Sequence, residues 1–361
     1  SLAAHLRAQE GLVERVEVSA SGVLNFRLAS GWLEEAVREA RTRREEFGRS
    51  QVGQDRRVQV EFVSAYPTAP LTVIHGRGAA VGDALANLLA WTGWRVTREF
   101  YVNDAGSRFD RFARSLEAEY LKQLGREDVR PPADGFQGEY LVEVVREIRE
   151  RVGDRYLNVP AEERLKWLAI LGRDAMLDRQ RATLARFGVR FDEWRFESEL
   201  LKSGILDEAF RRLAEKDLLY EADGALWLRS TSLGDEMDRP LRRSNGETPY
   251  LAGDLAYHLD KFQRGFDRVV DIWGPDHETY VARTLIGLQA LGFPREAVNI
   301  RVLSNVTVRI DGGRVDAAST GNSLSLAEVI EELGPDSASF TYLLADATAA
   351  LELNLDPARD S

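Results

Sequence analysis

The sequence predicts an α/β protein built on a doubly wound parallel sheet. A mostly apolar strand over residues 58–64 leads through a turn with Pro67 and Pro70 into a helix that begins near His75, and VTREFYVND then supplies a second strand. Strand, loop, helix and strand in this order form the right-handed unit of a parallel sheet. The apolar strand VVDIWG after Arg268, and the helix that follows it, repeat the pattern. Ligands of such sheets bind at the carboxyl ends of the strands, beside a helix N-terminus.

The remaining segments are predicted to surround this sheet. Residues 2–12 predict a helix, VERVEVS and VLNFRL predict a small hairpin, and residues 32–47 predict a charged helix. Residues 108–187 are mostly helical, with a break at the Pro- and Gly-rich stretch 130–140. The predicted elements that follow are a helix (LDEAFRRLAEKDLL), a hairpin around DGALWL, a strand over 298–308, a turn at RIDGGRV and a helical end over 323–347.

Composition excludes several classes of protein. The 361 residues include 48 basic and 59 acidic side chains, a net charge of −11, which argues against a surface that coats nucleic acid non-specifically but leaves room for a local basic groove. There is no cysteine and there are only four histidines, so disulfide scaffolds, thiol catalysis and Cys/His zinc sites are excluded, and we expect no metal site. No apolar run approaches the ~18 residues that span a bilayer, and the N-terminal segment lacks a signal peptide's apolar block. We therefore expect a cytoplasmic protein that binds neither DNA nor a membrane.

The first candidate site is the segment VEFVSAYPTAPLTVIHGRG, residues 60–78. A strand end, a Pro-containing turn and His75 at a helix start would direct an imidazole and free backbone N–H groups toward an anion such as a phosphate. A single histidine at a helix start is more often a cap or a packed side chain. Both interpretations of His75 stay open at this point.

The second candidate site is a set of acidic and phenolic side chains near predicted strand ends: Glu61, Glu197, Tyr250, Asp254 and Asp276. If these side chains converge, they suit a planar cation such as a guanidinium group, which pairs with carboxylates through two parallel hydrogen bonds. Sequence spacing alone does not bring them together. Separate surface carboxylates are therefore the alternative interpretation.

A series of longer segments carries a further signal, and it runs through VEFVSAYPTAPLTVIHGRGAAVGDAL, REFYVNDAG, GFQGEYLVE, FDEWRFESELLKSG, KDLLYEADGALWLRST, DLAYHLDKFQRGFDRVVDIWGPDHETYV and GNSLSLAEVIEELGPDSASF. In this order the segments resemble bacterial arginyl-tRNA synthetase, a class I aminoacyl-tRNA ligase, over nearly the entire chain. The resemblance implies a Rossmann-type catalytic domain over residues 51–361 with helical insertions at about 108–230. Residues 1–50 would be part of an α+β N-terminal domain with its linker helix. The family's C-terminal anticodon-binding domain would begin where this sequence stops, so we expect it to be absent, which puts tRNA as a partner in doubt.

The resemblance also implies a site for ATP with Mg²⁺ in an active member, but here the motifs depart from the family pattern. Where the family has His-Val-Gly-His, residues 72–75 are Thr-Val-Ile-His, so that His75, with Thr72 beside it, would form the catalytic pair. The β-branched side chain of Ile74 would reduce the space for adenine. The residues that would line the nucleotide are Ile74, Gly76 and Gly274.

Two lysines that the family uses to offset the charge of pyrophosphate are missing as well. Aligned on Gly321 and Asn322, the corresponding loop is Val-Asp-Ala-Ala at 315–318. Some members place a lysine just before the first motif instead, but that position is Ala69 here. One such charged donor can contribute roughly 3 kcal/mol in the transition state.

The arginine end of the site matches the family more closely. Glu197, Tyr250 and Asp254 stand at the positions that hold the guanidinium group. The other end of the substrate would be bound by Tyr66, which replaces the asparagine that binds the α-amino group, and by Ser64 and Asp276.

These observations predict an arginyl-tRNA synthetase-like protein, a truncated paralogue, whose ATP-dependent arginine activation and ligation to tRNA are weak or lost. One alternative is a non-catalytic sensor or regulatory subunit that binds arginine or a guanidinium group on a larger ligand. Another is activation of arginine for an acceptor other than tRNA, which requires a working ATP site.

Overall fold

The computed structural model describes residues 13–126, 128–310, 313–316 and 324–355. Strand β1 (Val13–Val18) pairs in antiparallel fashion with β2 (Leu24–Leu28), and helix α1 (Ser30–Arg43) follows, extended by a 3₁₀ turn over Arg44–Glu46. The predicted hairpin and charged helix are thus confirmed. The helix predicted over residues 2–12 lies outside the described residues.

A five-stranded parallel sheet forms the centre of the protein, in the order β10-β9-β3-β4-β5. Its strands are β3 (Arg57–Glu61), β4 (Arg95–Val102), β5 (Glu193–Phe196), β9 (Arg268–Trp273) and β10 (Val298–Val302). Helix α2 (Val73–Trp91) connects β3 to β4, which are neighbours, and helix α9 (Glu278–Leu291) connects β9 to β10. The doubly wound parallel sheet is therefore confirmed.

Both faces of the central strand are covered. Val58 and Val60 belong to the core that α2 shares, whereas the intervening Gln59 and the adjacent Glu61 are buried on the other face. That second face is covered by helix α8 (Tyr250–Gln263), whose Lys261 reaches Glu61. A strand buried on both faces is typical of a parallel sheet with helices on each side.

The other elements extend the chain between and beyond these strands. Helices α3 (Gly106–Gln123), α4 (Glu139–Val152) and α5 (Ala161–Arg186) pack around their own core, as the helical prediction for 108–187 anticipates. Strand β5 then returns to the central sheet, within the range 108–230 that we predict as insertion. The remaining elements in this region are α6 (Glu197–Lys202), α7 (Ile205–Glu215), β6 (Leu219–Ala222), β7 (Ala225–Leu228) and β8 (Arg239–Arg242).

Two sequence predictions need correction. The single strand predicted over 298–308 is two strands, because the chain leaves the central sheet after β10 and β11 (Val306–Ile310) joins a separate sheet. The helical end is interrupted as α10 (Leu326–Leu333) and α11 (Pro335–Leu343), and an unpredicted strand follows. That strand, β13 (Leu351–Asn354), pairs with β11, which also pairs with β12 (Gly313–Asp316). The glycines of the predicted RIDGGRV turn lie partly outside the described residues.

Helix α2 packs closely because its inner face carries small residues. A Cβ added to Gly82 would lie 2.2 Å from Cγ of Phe62, and one added to Gly76 would lie 2.7 Å from Cδ1 of Leu326. Arg77, between them, is fully buried and donates to four backbone carbonyls, those of Ser304, Asn305, Asp346 and Ala349. These hydrogen bonds connect α2 to the chain segments that precede β11 and β13.

Replacing Gly82 by Ala should therefore lower the free energy of unfolding, by about 1–3 kcal/mol, since the new methyl group overlaps the Phe62 ring. Gly78→Ala is the matched control on the same helix, because its Cβ would meet only ordinary contacts at 3.7 Å and beyond. Alanine is the better helix former, so the control should be neutral or stabilising. Urea unfolding of both variants tests this, and equal stabilities would contradict it.

Candidate functional site

The loop after β3 is the first wall of the candidate site. Val63 and Ser64 adopt left-handed backbone angles, with φ of 69° and 41°, which is why the strand ends at Glu61 rather than at residue 64 as predicted. Such angles are strained for a β-branched residue. The turn directs Oγ of Ser64 to donate to Oε1 of Glu61 at 2.7 Å and to accept from the backbone N–H of Tyr101 at 3.2 Å. Ser64 thus joins the ends of β3 and β4.

Carboxylates gather around Tyr101 at the carboxyl end of β4. The Tyr101 ring stacks on Tyr257 of α8 with 4.1 Å between centroids. Burial raises the pKa of the Tyr101 phenol well above its usual value, and nearby negative charges raise it further. Those charges belong to Glu197, Asp254, Glu61 and Asp104. The structure therefore brings three of the predicted acids, Glu61, Glu197 and Asp254, into one electronegative region.

Two of these carboxylates are half-buried and lack a cation. Glu197 accepts a hydrogen bond from Nδ2 of Asn103 at 3.3 Å, and burial raises its pKa. Burial also raises the pKa of Asp254, to about 7. Within the described part of the chain, neither carboxylate forms an ion pair. A partly desolvated, unpaired carboxylate is unfavourable, so a cation bound between the two would be stabilised.

The two tyrosines of the predicted site lie beside each other, and Tyr66 also lies near Glu197. Burial, with the influence of Tyr250 and Glu197, raises the pKa of the Tyr66 phenol to about 12. Tyr250 is 71% exposed at the first turn of α8, so its ring stands at the mouth of the site. The structure thus brings Tyr66 close to Tyr250 and Glu197, and the roles that the resemblance implies for these residues stay predictions. Asp276 is exposed in a 3₁₀ turn after β9 and acts electrostatically on its neighbour His277 rather than on the carboxylate region.

A row of three buried carboxylates lies beneath the site, and sequence reasoning missed it. Glu61, Glu99 and Asp271 occupy facing positions on three adjacent strands, since Glu61 pairs in register with both of the others. All three are buried on the face that α8 covers. The signal that could have revealed them is one acidic residue near the carboxyl end of each of three strands predicted for the parallel sheet.

Helix α8 supplies the cations that this row requires. Nζ of Lys261 donates to Glu61 at 2.6 Å and to Asp271 at 2.7 Å, and Arg264 donates to Glu99 at 2.9 Å. Although burial raises the pKa of Asp271, Lys261 and His258 hold it well below its usual range. The carbonyl of Asp254 sits at the other end of this network.

The imidazole of His258 connects the network to the site. Its Nδ1 lies 2.7 Å from the backbone carbonyl of Asp254 and its Nε2 lies 2.8 Å from Oδ2 of Asp271. These two contacts join the backbone of α8 to the buried carboxylate of Asp271. Lys261 and Arg264 offset the charge of the row, Arg264 also pairs with Asp260 and Glu193, and these contacts hold α8 in position under the site.

The start of α2, predicted to bind an anion, is largely satisfied by the protein itself. The backbone N–H of Thr72 donates to Nδ1 of His75 at 3.0 Å, and Oγ1 of Thr72 lies 2.9 Å from the same nitrogen. The N–H of Val73 donates to the carbonyl of Leu324 at 3.3 Å. His75 therefore closes a capping box, in the role that Glu or Gln usually takes.

This geometry also sets the charge of His75. A backbone N–H can only donate, so Nδ1 carries no proton and the half-buried ring is neutral. Burial, assisted by the charge of Arg108, lowers the pKa of His75 to about 4. A neutral imidazole can donate one hydrogen bond from Nε2, but it supplies no positive charge to a phosphate.

The predicted nucleotide-binding residues are dispersed around α2 and β9. Ile74 is half-buried against the core. Gly76 faces Leu326 and Tyr342, whereas the space in front of Gly274 is open. Of the predicted loop 315–318, only the backbone of its first two residues is described, and these lie in β12.

Metal ions and membranes are the remaining questions for the site and the fold. Among the described residues, no group of three or more acidic or histidine side chains could hold a metal ion. No helix in the same part of the chain has both the length and the apolar character of a membrane span.

Comparison with known proteins bears on this arrangement. A family model described as tRNA synthetases class I (R), catalytic domain, matches residues 37–339. The arginine–tRNA ligase of Desulfitobacterium hafniense is 41% identical over 357 residues, a match that covers 98% of this chain and 63% of that relative. The chain belongs to the arginyl-tRNA synthetase family.

Solved structures agree with this family assignment. A structure assigned as arginyl-tRNA synthetase, from Campylobacter jejuni, is 31% identical with a TM-score of 0.82, and the match covers 91% of this chain and 71% of that one. Thermus thermophilus arginyl-tRNA synthetase, at 21% identity and a TM-score of 0.71 over 98% of this chain and 68% of that one, shares the fold. The sheet described above is thus the Rossmann-type core of a class I synthetase. The chain spans about 63% of the length of its curated arginine–tRNA ligase relatives.

Proposed function

We propose that this arginyl-tRNA synthetase family member binds arginine through its guanidinium group and that its ATP-dependent activation of arginine is weak or lost. The observation that carries the first part is the pair of half-buried carboxylates, Glu197 and Asp254, without an ion-pair partner in the described residues. A guanidinium group offers planar paired donors and a permanent charge, which suits two carboxylates and the phenol of Tyr250. Tyr101 and Tyr257 would form an aromatic floor for the site.

Four features of α2 and its surroundings support the second part. The N–H groups of Thr72 and Val73 are already bonded within the protein, and His75 is neutral. Ile74 adds a β-branched side chain where the resemblance implies space for adenine, and Ala69 provides no replacement cation. These residues fit ATP with Mg²⁺ poorly, because the developing charge on a phosphate needs fixed donors or cations.

Participation of tRNA is a separate proposal. The curated relatives are named as arginine–tRNA ligases, and this chain corresponds to about 63% of their length. Ligation of arginine to tRNA by this chain would require the adenylate first, so we propose that it is weak for the same reason. A non-catalytic arginine sensor is favoured over activation for another acceptor, since the second also needs ATP.

Calorimetric titration of the purified chain with L-arginine and with ATP–Mg²⁺ tests the proposal. We expect arginine to bind, and ATP to bind at least ~10-fold more weakly than arginine. The site keeps the carboxylates that a guanidinium group needs but lacks the cations that the phosphates need. Arginine-dependent exchange of pyrophosphate into ATP, with and without tRNA, should be slow. Exchange at a rate near that of an intact synthetase would refute the loss of activation, and tight ATP binding without arginine binding would refute the whole proposal.

A further inference from the structure

Arg108 is an exposed cation at the edge of the candidate site that the proposed function does not use. It is the third residue of α3, shortly after β4 ends. Its guanidinium carbon lies 4.8 Å from the centroid of the Tyr66 ring and 5.7 Å from that of Phe136. Cation–π contacts thus hold the guanidinium group over Tyr66, the ring that also borders Glu197.

The position is an unfavourable one for a positive charge. The first turn of α3 contains no acidic residue, and a cation near a helix N-terminus is disfavoured by the helix dipole. No carboxylate of the described ranges forms an ion pair with Arg108. By contrast, Arg111 on the next turn pairs with Asp134 at 2.7 Å. The charge of Arg108 is therefore held in place by aromatic rings but has no anion to offset it.

The charge of Arg108 affects the protonation of side chains in the site. It disfavours the protonated form of His75 and favours the ionised forms of Tyr66 and Tyr140. Glu197, one of the two unpaired carboxylates, also acts electrostatically on Tyr66. Tyr66 is thus near both a cation, Arg108, and a carboxylate of the site, Glu197.

We propose that Arg108 binds the α-carboxylate of the arginine whose guanidinium group pairs with Glu197 and Asp254. This inference rests on the proposed function and deepens it, because it specifies a free α-amino acid rather than any guanidinium compound. A zwitterionic arginine carries a carboxylate at the end opposite its guanidinium group, which suits a site that offers both unpaired carboxylates and an unpaired cation. An oxyanion could also come from a nucleotide phosphate, so the test has to separate these two sources.

The test compares L-arginine with agmatine, which has the same guanidinium group but no carboxylate. We expect the native chain to bind arginine at least ~10-fold more tightly than agmatine, since one charge-assisted contact is lost. Arg108→Gln should weaken arginine binding ~10-fold or more and leave agmatine binding unchanged or improved. Arg108→Lys should recover part of the arginine affinity. Arg114→Gln, an exposed arginine further along the same helix, is the matched control and should change neither.

Each other outcome is decisive. If the native chain binds both ligands equally and Arg108→Gln weakens neither, this inference fails while the proposed function stands. If neither ligand binds, both fail. Equal weakening of arginine and agmatine by Arg108→Gln would mean that the residue shapes the site rather than binding a carboxylate. A loss of ATP binding in Arg108→Gln with arginine binding intact would assign the oxyanion to phosphate and overturn the inference.

Discussion

Asp254→Asn is expected to weaken arginine binding about 100-fold while it raises the free energy of unfolding at pH 8. The binding loss follows because the amide lacks the charge that pairs with the guanidinium group, and truncating one partner of a desolvated charge pair costs ~2–5 kcal/mol. The gain in stability follows because the native carboxylate is partly desolvated and unpaired, whereas the amide is neutral. Calorimetry with arginine and urea unfolding measure the two effects.

The effect of Asp254 on the free energy of unfolding depends on pH. The pKa of Asp254 is raised from its ordinary value of 3.8 to about 7, so the folded state binds the proton more tightly than the unfolded state does. The contribution of Asp254 to stability therefore falls as pH rises from about 4 to about 7. The free energy of unfolding of Asp254→Asn should equal that of the native chain near pH 4 and exceed it by about 1–2 kcal/mol above pH 7. This difference is smaller than the whole pKa shift would give, because Asp254 is only half-buried. Arginine affinity of the native chain should rise over the same interval as the carboxylate ionises.

A matched control lies on the same helix. Asp260 of α8 accepts a hydrogen bond from Arg195 at 2.6 Å and forms an ion pair with Arg264 at 2.9 Å. Asp260→Asn should therefore lose stability and keep arginine binding, the opposite of Asp254→Asn in both respects. A stabilised Asp254→Asn that still binds arginine would show that Asp254 is unpaired but does not hold the guanidinium group. A destabilised one would show that Asp254 is paired.

The sequence allowed the sheet to be predicted because burial on both faces leaves apolar runs such as VVDIWG, and because a Pro turn and a small-residue helix separate the first two strands. The split between β10 and β11 was not predictable, since both halves of 298–308 have the same strand-like pattern and only tertiary packing decides which sheet each joins. Convergence of Glu197, Tyr250 and Asp254 came from the family resemblance, because spacing does not bring distant strand ends together. Tyr101 was missed for a related reason: an aromatic residue in a strand is usually core.

The second prediction with a large expected effect concerns the row of three buried carboxylates. Lys261→Met should lower the free energy of unfolding by about 3–5 kcal/mol at pH 7, because Glu61 and Asp271 would remain buried without their shared cation. For Asp271, whose pKa is lowered, and Lys261, whose pKa is raised, the native pairing is fully present between the ordinary pKa of Asp, near 4, and that of Lys, near 10.5. Burial raises the pKa of Glu61, so the contribution of Glu61 to stability decreases as pH rises through its titration. In the variant, burial without the lysine favours the protonated form of the two carboxylates, so they take up protons as pH falls and the deficit of the variant should shrink toward pH 4. Urea unfolding across pH 4–8 measures it.

A second variant separates this charge effect from simple misfit. Glu61→Gln combined with Lys261→Met removes one of the two stranded carboxylates, so the double variant should be more stable than the sum of the single changes predicts, with a coupling of roughly 1–3 kcal/mol. Lys202→Met, an exposed lysine at the end of α6, should have little effect. A deficit in Lys261→Met that stays constant with pH and adds to that of Glu61→Gln would mean that the lysine acts by filling space. In that case the three strand-end carboxylates, and with them the position of α8 and Asp254, would depend on packing rather than on charge.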